Sequence, residues 1–139
     1  MRASAAFPSL LFAVVLYAIV GVFAQLGGDV AAGLNQAPVS LPTPAGALAP
    51  NWADIILFFG LIALFVEIIK ATATNTVAII NHALSIAVLT LCIALFLLVP
   101  LFVTPCFLLL TMMSLVDTVA GFTITIISAR RDVVFDKPH

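Results

Sequence analysis

Between Ala83 and Ile127 the chain runs for 45 residues with a single charged side chain, Asp117, and is interrupted only by Pro100, Pro105 and a few small polar residues. A helix rises about 1.5 Å per residue, so about 20 residues cross a hydrocarbon core about 30 Å thick. A run twice that long must fold back on itself. The two prolines bracket the reversal, with Thr104 placed to cap a helix and Pro105 at its first position, where a missing N–H costs nothing. The pattern predicts antiparallel spans over 76–99 and 105–128, and two further apolar stretches, 7–26 and 52–70, are of comparable length.

The cations then orient the spans. Arg2 precedes the first stretch, Lys70 closes the second, and Arg130, Arg131 and Lys137 follow the fourth. The two intervening connections, 27–51 and 100–104, contain no Lys or Arg. Under the positive-inside rule this predicts an all-α integral membrane protein, a bundle of four transmembrane helices with both termini cytoplasmic. Residues 1–139 form one transmembrane domain in this reading, with 27–51 as a Pro-rich external loop.

Composition excludes most other classes. Hydrophobic residues are 64% of the chain and charged ones 8%, too few for a soluble surface of ordinary charge density. A formal net charge of −1 gives no reason to expect a nucleic-acid partner. There is no Gly-rich phosphate loop, no His-Glu-x-x-His sequence and no nucleophile–histidine arrangement, so the chain is read as non-enzymatic. Cys92 and Cys106 fall about 9 Å apart in depth if the turn centres near Phe102, too far for a disulfide and consistent with two buried thiols.

Local chemistry marks the ends of the elements. Arg2, the apolar run from Pro8 to Gly21 and Val22-Phe23-Ala24 together resemble a secretory signal with its cleavage site, but the run is long enough to be retained as a span. Span one opens at Ser4 to Pro8, carries Tyr17, Gly21 and Gln25 on one stripe, and ends at Gly27-Gly28. Pro38, Pro42, Pro44 and Pro50 favour extended, polyproline-like backbone in the loop, whose Val39, Leu41 and Leu48 suit the bilayer surface or a partner. Asn51 is placed as an N-cap, Trp52 as an interfacial anchor, and Asp54 in the first turn, where the helix dipole favours an anion. Ala71 to Asn75 makes a short turn between spans two and three.

The ionisable groups at membrane depth are the candidate functional residues: Glu67, His82 and Asp117, with Asn81 beside them. Glu67 and His82 are symmetric about the turn at Thr74–Asn75, so they are expected at one level, roughly 10 Å from it. Asp117 lies about 16 Å from Ser128, near mid-bilayer. Ser114, Asp117, Thr118, Gly121, Thr125 and Ser128 form one stripe of span four, and Ala78, Asn81, His82, Ser85 and Cys92 one stripe of span three. The stripes suit either close helix packing or a proton or ion relay. A haem on His82 would need its second axial ligand from another copy or subunit, so no cofactor is expected, and no ligand spacing suggests a metal. Lys70 is expected to snorkel to the interface, and Arg130 and Arg131 to meet anionic lipid.

The segment from Asp117 to Arg131 resembles small multispan proteins of bacterial membranes, which implies an inner-membrane location. The function expected by exclusion is a small subunit that packs against, stabilises or helps assemble a larger integral-membrane complex. The alternative is a small transporter or self-oligomeric proton or ion conductor using Asp117 and His82.

Overall fold

The structure, a computed structural model, describes residues 7–72 and 76–135, with side chains described outside 76–78, 125 and 128–135. Arg2, Lys137 and the turn at Thr74–Asn75 lie outside the described residues, as do the side chains of Ala78, Thr125, Ser128, Arg130 and Arg131. The elements are α1 (Leu10–Leu26), α2 (Val30–Leu34), β1 (Leu41–Thr43), β2 (Gly46–Leu48), α3 (Trp52–Ala71), α4 (Thr76–Leu98), a 3-10 turn (Pro100–Phe102) and α5 (Pro105–Phe135).

Three of these helices contain stretches long and apolar enough to cross a membrane: Trp52–Ala71, Ile79–Leu98 and Pro105–Ile124. Helix α1 is equally apolar but shorter, with 17 residues and a length of about 25 Å. Its start differs from the sequence expectation. Pro8 precedes the N-cap residue Ser9 instead of lying in the first turn, and the helix begins at Leu10. At the other extreme, α5 continues past Ser128 to Phe135 and carries Arg130 and Arg131 on helical backbone.

Helices α1 and α3 run antiparallel. Ser9 meets Glu67 at one end, and farther along Ala13 approaches Gly60. Helix α5 packs against both α3 and α4 and carries the most buried polar stripe. Side chains of Ala13, Tyr17, Ile56, Val88, Cys92, Phe107 and Leu110 fill the core between the four long helices. Both cysteines are free and buried. Outside, Phe12, Phe23, Phe58, Phe65, Leu97 and Phe122 are exposed, the arrangement a lipid solvent favours.

The ends are set by local hydrogen bonds. Helix α3 opens with a capping box: the Asp54 N–H donates to Asn51 Oδ1 at 2.8 Å and the Asn51 N–H to Asp54 Oδ2 at 3.0 Å. Helix α5 opens at Pro105, and Thr104 Oγ1 accepts the Phe107 N–H at 3.2 Å. Tyr17 ties α1 to this reversal. Its hydroxyl donates to the Leu101 carbonyl at 3.0 Å, shares a 2.6 Å hydrogen bond with Thr104 Oγ1, and its ring packs on Phe102 and Phe107.

The segment between α1 and α3 holds more regular structure than its prolines suggest. Gly28, at φ +116°, turns the chain out of α1, and Asp29 then caps α2 by accepting the Ala31 N–H at 2.8 Å. This short helix precedes the first proline of the loop, Pro38, so proline density does not act on it. Strands β1 and β2 form an antiparallel hairpin with Leu41 opposite Leu48 and Thr43 opposite Gly46. Pro42 is tolerated there because a two-stranded ribbon has only edges.

Candidate functional site

Among the described residues, Glu67 of α3 is the most fully bonded polar side chain in the interior, and its carboxylate joins α3 to α4 and to the start of α1. Its Oε1 accepts from the backbone N–H of Ser9, from Ser9 Oγ at 2.6 Å and from Lys70 Nζ at 2.9 Å. Its Oε2 accepts from Asn81 Nδ2 at 2.8 Å. Lys70 Nζ also donates to the Phe7 carbonyl at 2.8 Å. Glu67 itself has no exposed surface, so its charge is met by a cation and directed N–H and O–H donors, as a buried carboxylate requires. The i, i+3 spacing of Glu67 and Lys70 made the ion pair legible in the sequence. Other parts of the cluster were not. Lys70 Nζ reaches the start of α1, and the carboxylate's partner on α4 is Asn81 instead of its neighbour His82.

His82 faces α5. Its ring lies edge-on to Phe122, with centroids 4.4 Å apart, and against Gly121 so closely that a Cβ there would come 2.3 Å from Nδ1. Only glycine lets the imidazole take this place. One turn away on α4, Ser85 is buried. Asp117 is 4% exposed, and Ser85 and Ser114 are equally enclosed. The expected stripes therefore meet: Asn81, Ser85 and Cys92 of α4 and Ser114, Asp117, Thr118 and Gly121 of α5 are all buried.

On α1, Tyr17 and Gly21 face the bundle, with Gly21 against Leu101, while Gln25 of the same stripe is exposed; on α5, Gly121 lies against His82. Several hydroxyls along α5 close on their own helix: Thr111 Oγ1 donates to the Phe107 carbonyl at 2.9 Å and Thr118 Oγ1 to the Ser114 carbonyl at 3.0 Å. Trp52 lies at the head of α3, where its backbone N–H donates to the Gln36 carbonyl at 3.1 Å.

Three buried polar atoms in this region make no hydrogen bond: Asn81 Oδ1, His82 Nε2 and Ser114 Oγ. Among the described residues, no group of three or more His, Cys, Asp or Glu side chains is arranged to hold a metal ion. Sequence reasoning missed Ser9, and it placed Tyr17 on the α1 stripe without its bonds to Leu101 and Thr104. Ser9 looks like an ordinary helix cap, and its bond to Glu67 spans 58 positions that no local pattern signals. Comparison with protein-family models, with curated proteins and with solved structures finds no match to this chain.

Proposed function

We propose that this chain is a non-enzymatic, four-span membrane protein, with both termini cytoplasmic, that packs against and helps assemble a larger membrane complex. The observation that supports this best is the outward-facing hairpin between α1 and α3. Leu41 and Leu48 are directly opposed, share one face of the ribbon, and are 49% and 58% exposed. Val39 adjoins them and is also about half exposed. The segment is no loose tether. Gly33 of α2 sits directly on Ala24 of α1, and Trp52 is bonded back to Gln36. Beside it a groove of about 790 Å³ opens between α1 and α2, lined by Leu16, Val20, Phe23, Asp29, Gln36 and Trp52. An apolar pair on a fixed support, next to a groove with a polar rim, suits an integral-membrane partner better than free solvent.

The four-span count rests on α1 packing antiparallel along α3, although its 17 residues are at the short limit for a crossing. A bacterial inner membrane is the location this reading assigns. The experiment is purification of the tagged protein in mild detergent, with Leu41→Ser/Leu48→Ser as the paired variant. A partner should co-purify in fixed stoichiometry with the native chain and be lost from the variant while the bundle stays folded. Recovery of the native chain only as itself sinks this reading. A second reading, a small transporter or self-oligomeric conductor using Asp117 and His82, draws support from the unpartnered polar atoms of α4 and α5.

A further inference from the structure

The groove between α1 and α2 joins an apolar recess to a rim of polar groups that the chain leaves unanswered. Its wall is Leu16, Ile19, Val20 and Phe23, which recur at intervals of three and four and so form one stripe of α1. The rest of the lining is small: Ala24, Gly27 and Gly28 at the end of α1, Ala32 and Gly33 on α2. A Cβ at Gly33 would lie 2.3 Å from the Ala24 Cβ, so α2 already touches α1 and cannot close further on the recess. The space of about 790 Å³ is that of a small-molecule site, which runs from about 300 to 1,000 Å³. Leu16 and Gly27 are eleven residue steps apart, a rise of about 16 Å. The hydrocarbon of one leaflet is half of about 30 Å, so the lined stripe is as long as one acyl layer is deep.

Asp29, Gln36 and Trp52 stand at the polar end. Asp29 Oδ1 accepts the Ala31 N–H at 2.8 Å, and its other oxygen has no donor among the described residues. No cation answers its charge, because residues 27–51 and 100–104 contain no Lys or Arg. Asp54 at the head of α3 is taken up in its capping box. The side-chain amide of Gln36 and the indole N–H of Trp52 make no hydrogen bond within the described residues. We propose that this groove binds a single phospholipid with a cationic amine headgroup, its acyl chain along the α1 stripe and its ammonium group at Asp29. An anionic headgroup would add negative charge to a rim that has no cation, whereas a zwitterionic amine supplies the missing positive charge. The Trp52 and Gln36 N–H groups are donors that the headgroup phosphate can accept from. Trp52 at the head of a membrane-length helix also suits the level where acyl chain meets headgroup. The site stands whether or not the Leu41–Leu48 hairpin holds a partner, and it is measured on the chain alone.

Trp52 is the one tryptophan of the chain and lines the groove, so its fluorescence reports what lies there. The purified full-length protein is placed in equimolar phosphatidylethanolamine and phosphatidylglycerol vesicles, with brominated chains on the first lipid in one preparation and on the second in the other. Lipid that merely surrounds the bundle quenches equally in both. Bromines on the amine lipid should quench about fivefold more effectively, the upper end of what one exposed ion pair contributes. Asp29→Asn keeps an equally good N-cap while removing the charge, and should bring that ratio to about one with helix content unchanged. Ala32→Phe, at an exposed position of α2, should fill the recess and lower quenching by the amine lipid. Should either variant fail to fold, Asp29→Ser and Ala32→Leu make the same changes. Equal quenching by the two lipids in the native protein, stronger quenching by the anionic one, a preference that survives loss of the Asp29 charge, or undiminished quenching in a folded Ala32 variant would each overturn the proposal.

Discussion

At the scale of single residues, the interior is held by a few polar contacts whose removal leaves a partner stranded. Asn81→Leu would take away the donor to Glu67 Oε2 while leaving the carboxylate buried. A buried acceptor left unmet costs about 1–3 kcal/mol, so this variant should unfold at visibly lower temperature or denaturant in detergent. The change also removes the unpartnered Asn81 Oδ1, which places the net loss in the lower half of that range. Tyr17→Phe keeps the ring contacts with Phe102 and Phe107 but loses both hydroxyl bonds. A loss of about 1 kcal/mol is expected, measured as a shift in the unfolding transition with helix content unchanged. A Tyr17→Phe protein as stable as the native one would mean that the hydroxyl does not fasten α1 to the Pro100–Pro105 reversal.

Among elements, two glycines in close contacts should respond to the same substitution by different amounts. A Cβ at Gly33 would lie 2.3 Å from the Ala24 Cβ and 2.9 Å from its Cα, so α2 must move off α1. Gly33→Ala should destabilise by about 1–3 kcal/mol and loosen the α2–hairpin segment, as read by amide exchange there. At Gly60 the nearest atoms are the ends of Leu110 and Met113, which can rotate away, so Gly60→Ala should fall well below that cost. Equal losses at both sites would contradict this account of α2. The difference marks what the sequence could disclose. Capping at Asn51 and Thr104, the proline-bracketed reversal and the facing polar stripes all depend on neighbours within a few positions, and each was legible. Short α2, the hairpin and the choice of Asn81 over His82 depend on how one helix is rotated against another, which periodicity alone leaves open.

For the whole molecule, the distribution of cations and the antiparallel packing of α1 on α3 make one joint statement about sidedness. Reporters fused after His139 and within residues 30–45 should mark opposite faces of the membrane, with the C-terminal fusion inside. A C-terminal reporter on the outside would reverse the map, including the face to which the Leu41–Leu48 hairpin is assigned. Matched reporters on one face would instead mean that α1 or another helix does not cross. The described bundle buries Glu67, Asn81, Ser114 and Asp117 and exposes Phe12, Phe58, Phe65 and Phe122. Substitutions such as Phe58→Ser should therefore perturb partition into lipid before they perturb packing.

Ser9 gives this architecture an order in time. It precedes the first residue of α1 but makes no side-chain cap to its own helix, and its N–H and hydroxyl are both turned to Glu67. While the chain is being synthesised, α1 emerges before α3, so its leading edge is expected to stay unfinished until the distal part of α3 has followed it. A nascent chain halted after Asn51 should show rapid amide exchange at Ser9, and one extended through Lys70 should show it slowed. An earlier helix is thus closed by a later one.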